Sequence, residues 1–143
     1  MSISATTIGD ALGVSIHSDL ELSSLEREGF PLDAREGLLR LGLTPAEVAQ
    51  HVIPSRTWSH RQAQRKSGER NTFSAEESAR VLRMIKVLLH ATQLFGDQAL
   101  AIDWMRTPKA RFAGRTPLAM VETEYGGGLV EEMILGGEDG FCA

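Results

Sequence analysis

Apolar residues recur at helical spacing along most of this chain. The clearest case is the stretch that opens on Ser74-Ala75-Glu76-Glu77 and runs to Phe95, where Val81, Met84, Ile85, Leu88 and Phe95 form one stripe, widened by Leu82 and Leu89. Arg83, Lys86 and His90 fall on the opposite side and are expected to face water. Ser74 with Glu77 has the form of a capping box, so the pattern predicts a long core helix that begins there and closes at Gly96. Upstream, Leu20, Leu22 and Leu25 predict a helix stopped by Gly29-Phe30-Pro31, and Asp33 opens a second with Leu38, Leu39 and Leu41 that ends at Gly42. Thr44-Pro45-Ala46-Glu47 predicts another capped start, with proline at the first helical position, for the short helix PAEVAQHV. After Ile53-Pro54, Ser55 is expected to cap SRTWSHRQAQRKSG, which has almost no aliphatic residues and would be anchored by Trp58 and Ala63.

Beyond Gly96, Asp97 is placed to cap DQALAIDWMRT, whose Leu100, Ala101, Trp104 and Met105 are expected to face inward. Thr-Pro then occurs twice with opposite consequences. Thr107-Pro108 ends a helix, because the residue before proline is pushed out of the α region, and Thr116-Pro117 starts one, with Thr as cap. Residues 109–114 between them form a loop anchored by Phe112. The run Gly126-Gly127-Gly128 is expected to free the chain before a last short helix, LVEEMIL, stopped by Gly136-Gly137. Residues 1–18 are small, polar and β-branched without clear period and are expected to be a flexible arm. No strand-like alternation extends beyond a few residues, and no internal repeat has a fixed period. The fold expected is therefore all-α: the arm (1–18), a helix-turn-helix region (19–73), and a small C-terminal helical domain with a tail (74–143).

Charge sharpens this outline. The net charge of −4 conceals an uneven distribution: residues 51–70 hold Arg56, Arg61, Arg65, Lys66 and Arg70 against Glu69, while both ends of the chain are acidic. A basic middle between acidic ends suits two different partners, one anionic and one cationic, although charged faces that only maintain solubility would look the same. No apolar run approaches the roughly 18 residues that a membrane span requires, and the first residues lack a secretory pattern, so no membrane contact and a cytoplasmic location are expected. Cys142 has no partner for an internal disulfide.

A short capped helix, a tight turn and a polar, basic second helix form the pattern of a helix-turn-helix reader. Its candidate DNA-binding residues are Ser55, Arg56, Thr57, His60, Arg61, Gln64, Arg65 and Lys66: Arg and Lys for phosphates or guanine, Gln for adenine, Ser and Thr near the helix N-terminus for phosphate. A solvated helix face is the plainer alternative. Catalysis is not expected. His17, His51, His60 and His90 are scattered without an ordered nucleophile or carboxylate motif, the glycine run lacks the lysine and strand context of a phosphate loop, and no Cys or His cluster has zinc-ligand spacing. No catalytic residue, metal or cofactor is therefore assigned.

Several segments occur in a definite order: EREGFP, LGLTPAEVA, SRTWSHRQAQ, FSAEESARVLRMIKVLLHATQLFGDQALAIDWMRTP and AGRTPLAMVETEYGG. This succession resembles the Xre family of antitoxins, the MbcA/ParS/Xre group, over roughly residues 20–135. Its most specific part is Phe95-Gly96-Asp97, Trp104, Thr107-Pro108, Gly114 and Thr116-Pro117-Leu118 with Gly126 following. The resemblance implies a type II antitoxin that self-associates, represses its own operon through the helix-turn-helix, and neutralises a RES-domain toxin that degrades NAD by obstructing its active site with the C-terminal region. The implied partners are thus a RES-domain toxin, operator DNA and a second copy in a homodimer. In this chain the obstructing region maps to Gly136, Gly137, Glu138, Asp139, Gly140, Phe141, Cys142 and Ala143. Glu138, Asp139 and the terminal carboxylate can act there as anionic mimics of a pyrophosphate, with Phe141 adding apolar contact. Two rival readings stay open: an inhibitor whose helix-turn-helix does not bind DNA, and a plain helix-turn-helix transcriptional regulator.

Overall fold

A computed structural model of the chain describes residues 3–136. Among them the fold is all-α, with nine helices: α1 (Ala5–Leu12), α2 (Asp19–Glu28), α3 (Ala34–Arg40), α4 (Pro45–His51), α5 (Ser55–Lys66), α6 (Ala75–Phe95), α7 (Gln98–Arg106), α8 (Pro117–Met120) and α9 (Glu124–Leu135), with a 3-10 turn at Ala110–Phe112. None of these helices is long and apolar enough to cross a membrane.

The central element is α6, against which α7, α9, α2, α3 and α1 all pack. Val81, Met84, Ile85, Val87 and Leu88 are almost wholly buried, joining Phe30, Leu38, Phe73, Met105 and Val130 in one continuous core. A single antiparallel bridge between Pro31 and Thr72 stitches the segment before α3 to the segment before α6. There the Phe73 amide donates to the Phe30 carbonyl at 2.9 Å, and the Phe30 amide donates to the buried Ser78 hydroxyl at 2.8 Å. Burial of these two rings removes their backbone groups from water, so each needs such a partner.

Capping decides most of the boundaries. Thr44 and Ser74 form complete capping boxes with Glu47 and Glu77. Asp97 and Thr116 cap α7 and α8, Thr107 ends α7, and Gly96 closes α6 in the left-handed region at φ 71°. α5 begins at Ser55, but its N-cap is Pro54 and no side chain caps it. The Asp33 carboxylate likewise leaves the start of α3 uncapped and accepts from Arg65 Nη1 at 3.1 Å.

Five expectations are corrected by packing. The segment expected to be a flexible arm contains α1, capped by Ser4 and closed by Gly13, with Ala5, Ile8 and Leu12 buried and Ile16 following them into the core. Those positions lie three and four residues apart but are diluted by Thr and Gly, and α3 receives them closely: a Cβ on Gly37 would collide with the Ala11 carbonyl oxygen. Leu100 does not face inward. It is 54% exposed, and Ile102 joins Ala101 and Met105 on the buried side of α7. His90 is buried rather than solvent-facing, because α9 lies across that side of α6 and places Glu131 Oε2 2.7 Å from His90 Nδ1. Arg83, also expected to face water, turns under the same cover, donating from Nε to the Val121 carbonyl at 2.8 Å and from Nη2 to the Glu122 carbonyl at 3.0 Å. Burial lowers its pKa from the ordinary arginine value.

The glycine run is the fifth correction. Instead of freeing the chain, it lies inside the continuous helix α9, capped by Thr123, whose hydroxyl accepts from the Gly126 amide at 3.0 Å. A Cβ on Gly126 would collide with the Met120 carbonyl oxygen, and one on Gly127 would sit 2.8 Å from Arg83 Cδ. Two of the three glycines therefore allow α9 to approach α8 and α6 closely.

Candidate functional site

The helix-turn-helix is built from α4, the turn at residues 52–54, and α5. Val52 and Ile53 are buried, and both of their amides donate to the Val48 carbonyl at 2.9 Å, while Arg80 Nε of α6 donates to the Val52 carbonyl at 3.0 Å. The turn is thereby fixed to the core helix. α5 itself has no buried residue over its 12 residues. Side-chain contacts hold it instead: the Trp58 ring lies 6.0 Å from the Phe73 ring, and the Arg35 guanidinium lies 4.7 Å over Trp58. Ala63, expected as the second anchor, is exposed, because it lies on the far side of the helix from Trp58.

The strongest tether is Arg61. Its Nε and Nη2 donate to the two carboxylate oxygens of Glu77 at 2.9 and 3.0 Å, and its Nη1 donates to Gln64 Oε1 at 2.8 Å. The Arg61 and Glu77 side chains are 13% and 11% exposed. Burial opposes the charge on Glu77, but the bonds from Arg61 and from the Ser74 amide together outweigh it and hold the carboxyl below its ordinary pKa. Arg61 and Gln64 are thus engaged with the protein itself. Arg65 is exposed and meets the exposed Asp33, a contact that solvent weakens and that another anion can displace. Arg70, the last cation of the basic stretch, donates to the Thr72 and Phe73 carbonyls.

Among the described residues, Ser55, Arg56, His60 and Lys66 stand exposed, and Thr57 is half-buried. The outward strip of α5 also includes the small residues Ser59 and Ala63, each three residues beyond an exposed member of the strip, Arg56 and His60 respectively. Arg56 and Lys66 have no charged partner among the described residues, so this strip leaves two of the five cations in residues 51–70 free to meet an anion.

The helix-turn-helix is clamped to the C-terminal module through α4. Arg106 of α7 donates to Glu47 from Nε at 2.7 Å and Nη2 at 2.8 Å, and reaches the Gly42 carbonyl at 3.1 Å. At the other end of α4, His51 Nδ1 lies 2.6 Å from Glu122 Oε2. The Arg106 bonds, opposed by burial and reinforced by the Thr44 amide, bring the Glu47 pKa from 4.5 to about 2. A depressed folded-state pKa contributes stability that is complete above the unfolded value and is lost as pH falls toward the folded one. Thermal melts should show stability declining between pH 4.5 and about 2, and Glu47→Gln should flatten that decline.

In the C-terminal module, Gly96 and Asp97 turn α6 into α7, setting Phe95 and Trp104 6.2 Å apart with Lys109 Nζ 4.8 Å over the Trp104 ring. Of the candidate toxin-binding residues, Gly136 is the exposed C-cap of α9, and Gly137, Glu138, Asp139, Gly140, Phe141, Cys142 and Ala143 lie outside the described residues. No group of three or more His, Cys, Asp and Glu residues is arranged to hold a metal among the described residues.

Comparison with known proteins accounts for this two-part organisation. Residues 21–86 match the family model of the antitoxin Xre-like helix-turn-helix domain, and residues 90–139 that of the antitoxin Xre/MbcA/ParS C-terminal toxin-binding domain. The antitoxin Xre of Pseudomonas putida is 35% identical over 126 residues, covering 87% of this chain and 75% of its own. Antitoxin Xre of Yersinia enterocolitica is 35% identical over 101 residues, covering 68% and 65%, and that of Photorhabdus laumondii is 38% identical over 63 residues, covering 43% of each. Neither domain is enzymatic. With a helix-turn-helix whose second helix is held outside the core and a toxin-binding module built around α7–α9, the chain belongs to the Xre antitoxin family.

Proposed function

We propose that this antitoxin neutralises a RES-domain, NAD-degrading toxin by laying residues 136–143 in the toxin's active-site cleft, and that as a cytoplasmic homodimer it represses its own operon through α5. Residues 19–73 serve DNA, and 74–143 serve the toxin and self-association. The observation that carries the DNA half is the solvent-facing strip of α5, with Arg56, His60 and Lys66 uncommitted on a helix that the core does not bury. Two such helices in a symmetric dimer would meet half-sites about one helical turn apart. The toxin half is supported by the toxin-binding domain match, which extends into the acidic tail as far as Asp139.

A second reading, an inhibitor that does not bind DNA, is favoured by one observation: Arg61, Arg65 and Arg70 all have partners within the chain. Fluorescence anisotropy on the chain's own promoter separates the two. Affinity should fall steeply with salt, and Arg56→Ala with Lys66→Ala should reduce the slope of log affinity against log salt by about 2 per half-site, about 4 for the bound dimer. That double variant should still preserve NAD in cells expressing the toxin. Deletion of residues 137–143 should do the reverse, retaining DNA binding and losing protection. Absence of binding at low salt selects the second reading, and full protection without the tail removes the cleft-filling role.

A further inference from the structure

The last helix carries apolar residues on two sides. Gly126, Gly127, Val130, Met133 and Ile134 are buried, whereas on the opposite side Tyr125 is 81% and Leu135 56% exposed, with Leu129 half-buried between them. A helix packed on one side ordinarily turns polar residues to water. Here positions 125, 128, 129, 132 and 135 share the outward side at spacings of three and four, and only Glu132 is charged.

Gly128 supplies an independent observation. Unlike its two predecessors, it has open space where a side chain would be: a Cβ there meets nothing within 4 Å. A glycine inside a helix is less stable than alanine, so the folded chain has no packing reason to keep one at this position. A missing side chain in the middle of an uncovered apolar strip lets another backbone come close. The strip is bordered by a groove of about 320 Å³ between α6 and α9, which Leu82, Lys86 and Gly128 help to line, and on its other flank by Arg111 and Phe112 beside Leu129.

This strip lies within the residues matched as the toxin-binding domain and leads straight into Gly136 and the tail. We infer that the outward face of α9 is a docking surface for the body of the toxin, distinct from the tail, on which an apolar segment of toxin backbone crosses Gly128 between Tyr125 and Leu129. The inference rests on the reading of a RES-domain toxin as partner and names the surface that partner covers.

Gly128→Ala in the full chain is the test, with Tyr125→Ser as a second variant and an active-site-disabled RES-domain toxin from the same operon as the probe. Gly128→Ala should raise the melting temperature of the free antitoxin and weaken toxin binding, measured by calorimetry, by about tenfold or more. Tyr125→Ser should weaken binding without lowering the melting temperature. A raised melting temperature with unchanged binding overturns the surface and leaves the proposed partner standing. A lowered melting temperature for Gly128→Ala overturns it too, since the space would then have an internal use. Loss of self-association with toxin binding intact assigns the face to a second copy and overturns the inference. Failure of the unaltered chain to bind the toxin overturns both the surface and the partner.

Discussion

Arg61→Ala should destabilise the folded protein by about 3 kcal/mol, the cost typical of removing one partner from a buried ion pair. The substitution leaves Glu77, 11% exposed in its side chain, without the two hydrogen bonds that offset its burial, and frees the Gln64 amide oxygen as well. Urea denaturation monitored by circular dichroism measures the loss directly. Arg61→Ala combined with Glu77→Gln should recover part of it, because the neutral amide no longer carries a buried charge and can still reach the Ser74 amide. Arg56→Ala, on an exposed and uncommitted position, should leave the denaturation midpoint where it is. DNA binding then separates the two arginines: Arg56→Ala weakens binding in a folded protein, whereas any loss in Arg61→Ala follows from a helix that is no longer held. A midpoint for Arg61→Ala equal to that of the unaltered protein would show that the pair contributes nothing to the mounting of α5.

Phe73→Ala should cost about 3–5 kcal/mol, as expected for truncating a fully buried aromatic ring. Phe73 is 0% exposed, is the ring against which Trp58 rests, and pairs through its backbone with Phe30. Its removal opens a cavity beneath α5 at the aromatic contact that joins this helix to the core. Trp58 fluorescence should therefore shift toward the solvent-exposed value, and thermal melts should show the lowered stability. Phe73→Leu, which refills most of the volume, should restore much of the stability but not the ring contact. An unchanged Trp58 spectrum in Phe73→Ala would mean that α5 is positioned by its ionic contacts alone. Together the two variants weigh the aromatic and ionic tethers of a helix that lacks a buried face.

The family assignment and the two-part organisation were legible in the order of motifs, and so was the location of the helix-turn-helix. Within that site, Ser55, Arg56, His60 and Lys66 are on the surface as expected from chemistry, but the inward turn of Arg61 and Gln64 was not visible. Gln64 turns to Arg61, and the carboxylate that Arg61 meets, Glu77, reads from the sequence as half of a capping box. A carboxylate has two oxygens, and the same Glu77 both caps α6 and holds α5. Donor type and helical spacing identify an arginine able to meet DNA, without saying which arginines the protein uses for itself.

The sequence by itself determined most of the helices and the ends set by capping, though not α1 or the start of α9, because such ends depend on neighbours. Thr44 with Glu47, Ser74 with Glu77, and the opposed uses of Thr107-Pro108 and Thr116-Pro117 act over three or four residues, within reach of a single turn of backbone. Only the tertiary structure decided how the faces were spent. Whether residues 5–12 stay loose or pack depends on Gly37, whose missing side chain admits the Ala11 carbonyl. Whether His90 meets water depends on Glu131, which α9 brings across it, and whether three glycines loosen a chain or let a helix settle depends on the Met120 carbonyl and Arg83. Contacts of this kind join residues far apart in the chain, where local propensity carries no information and close packing selects the partner.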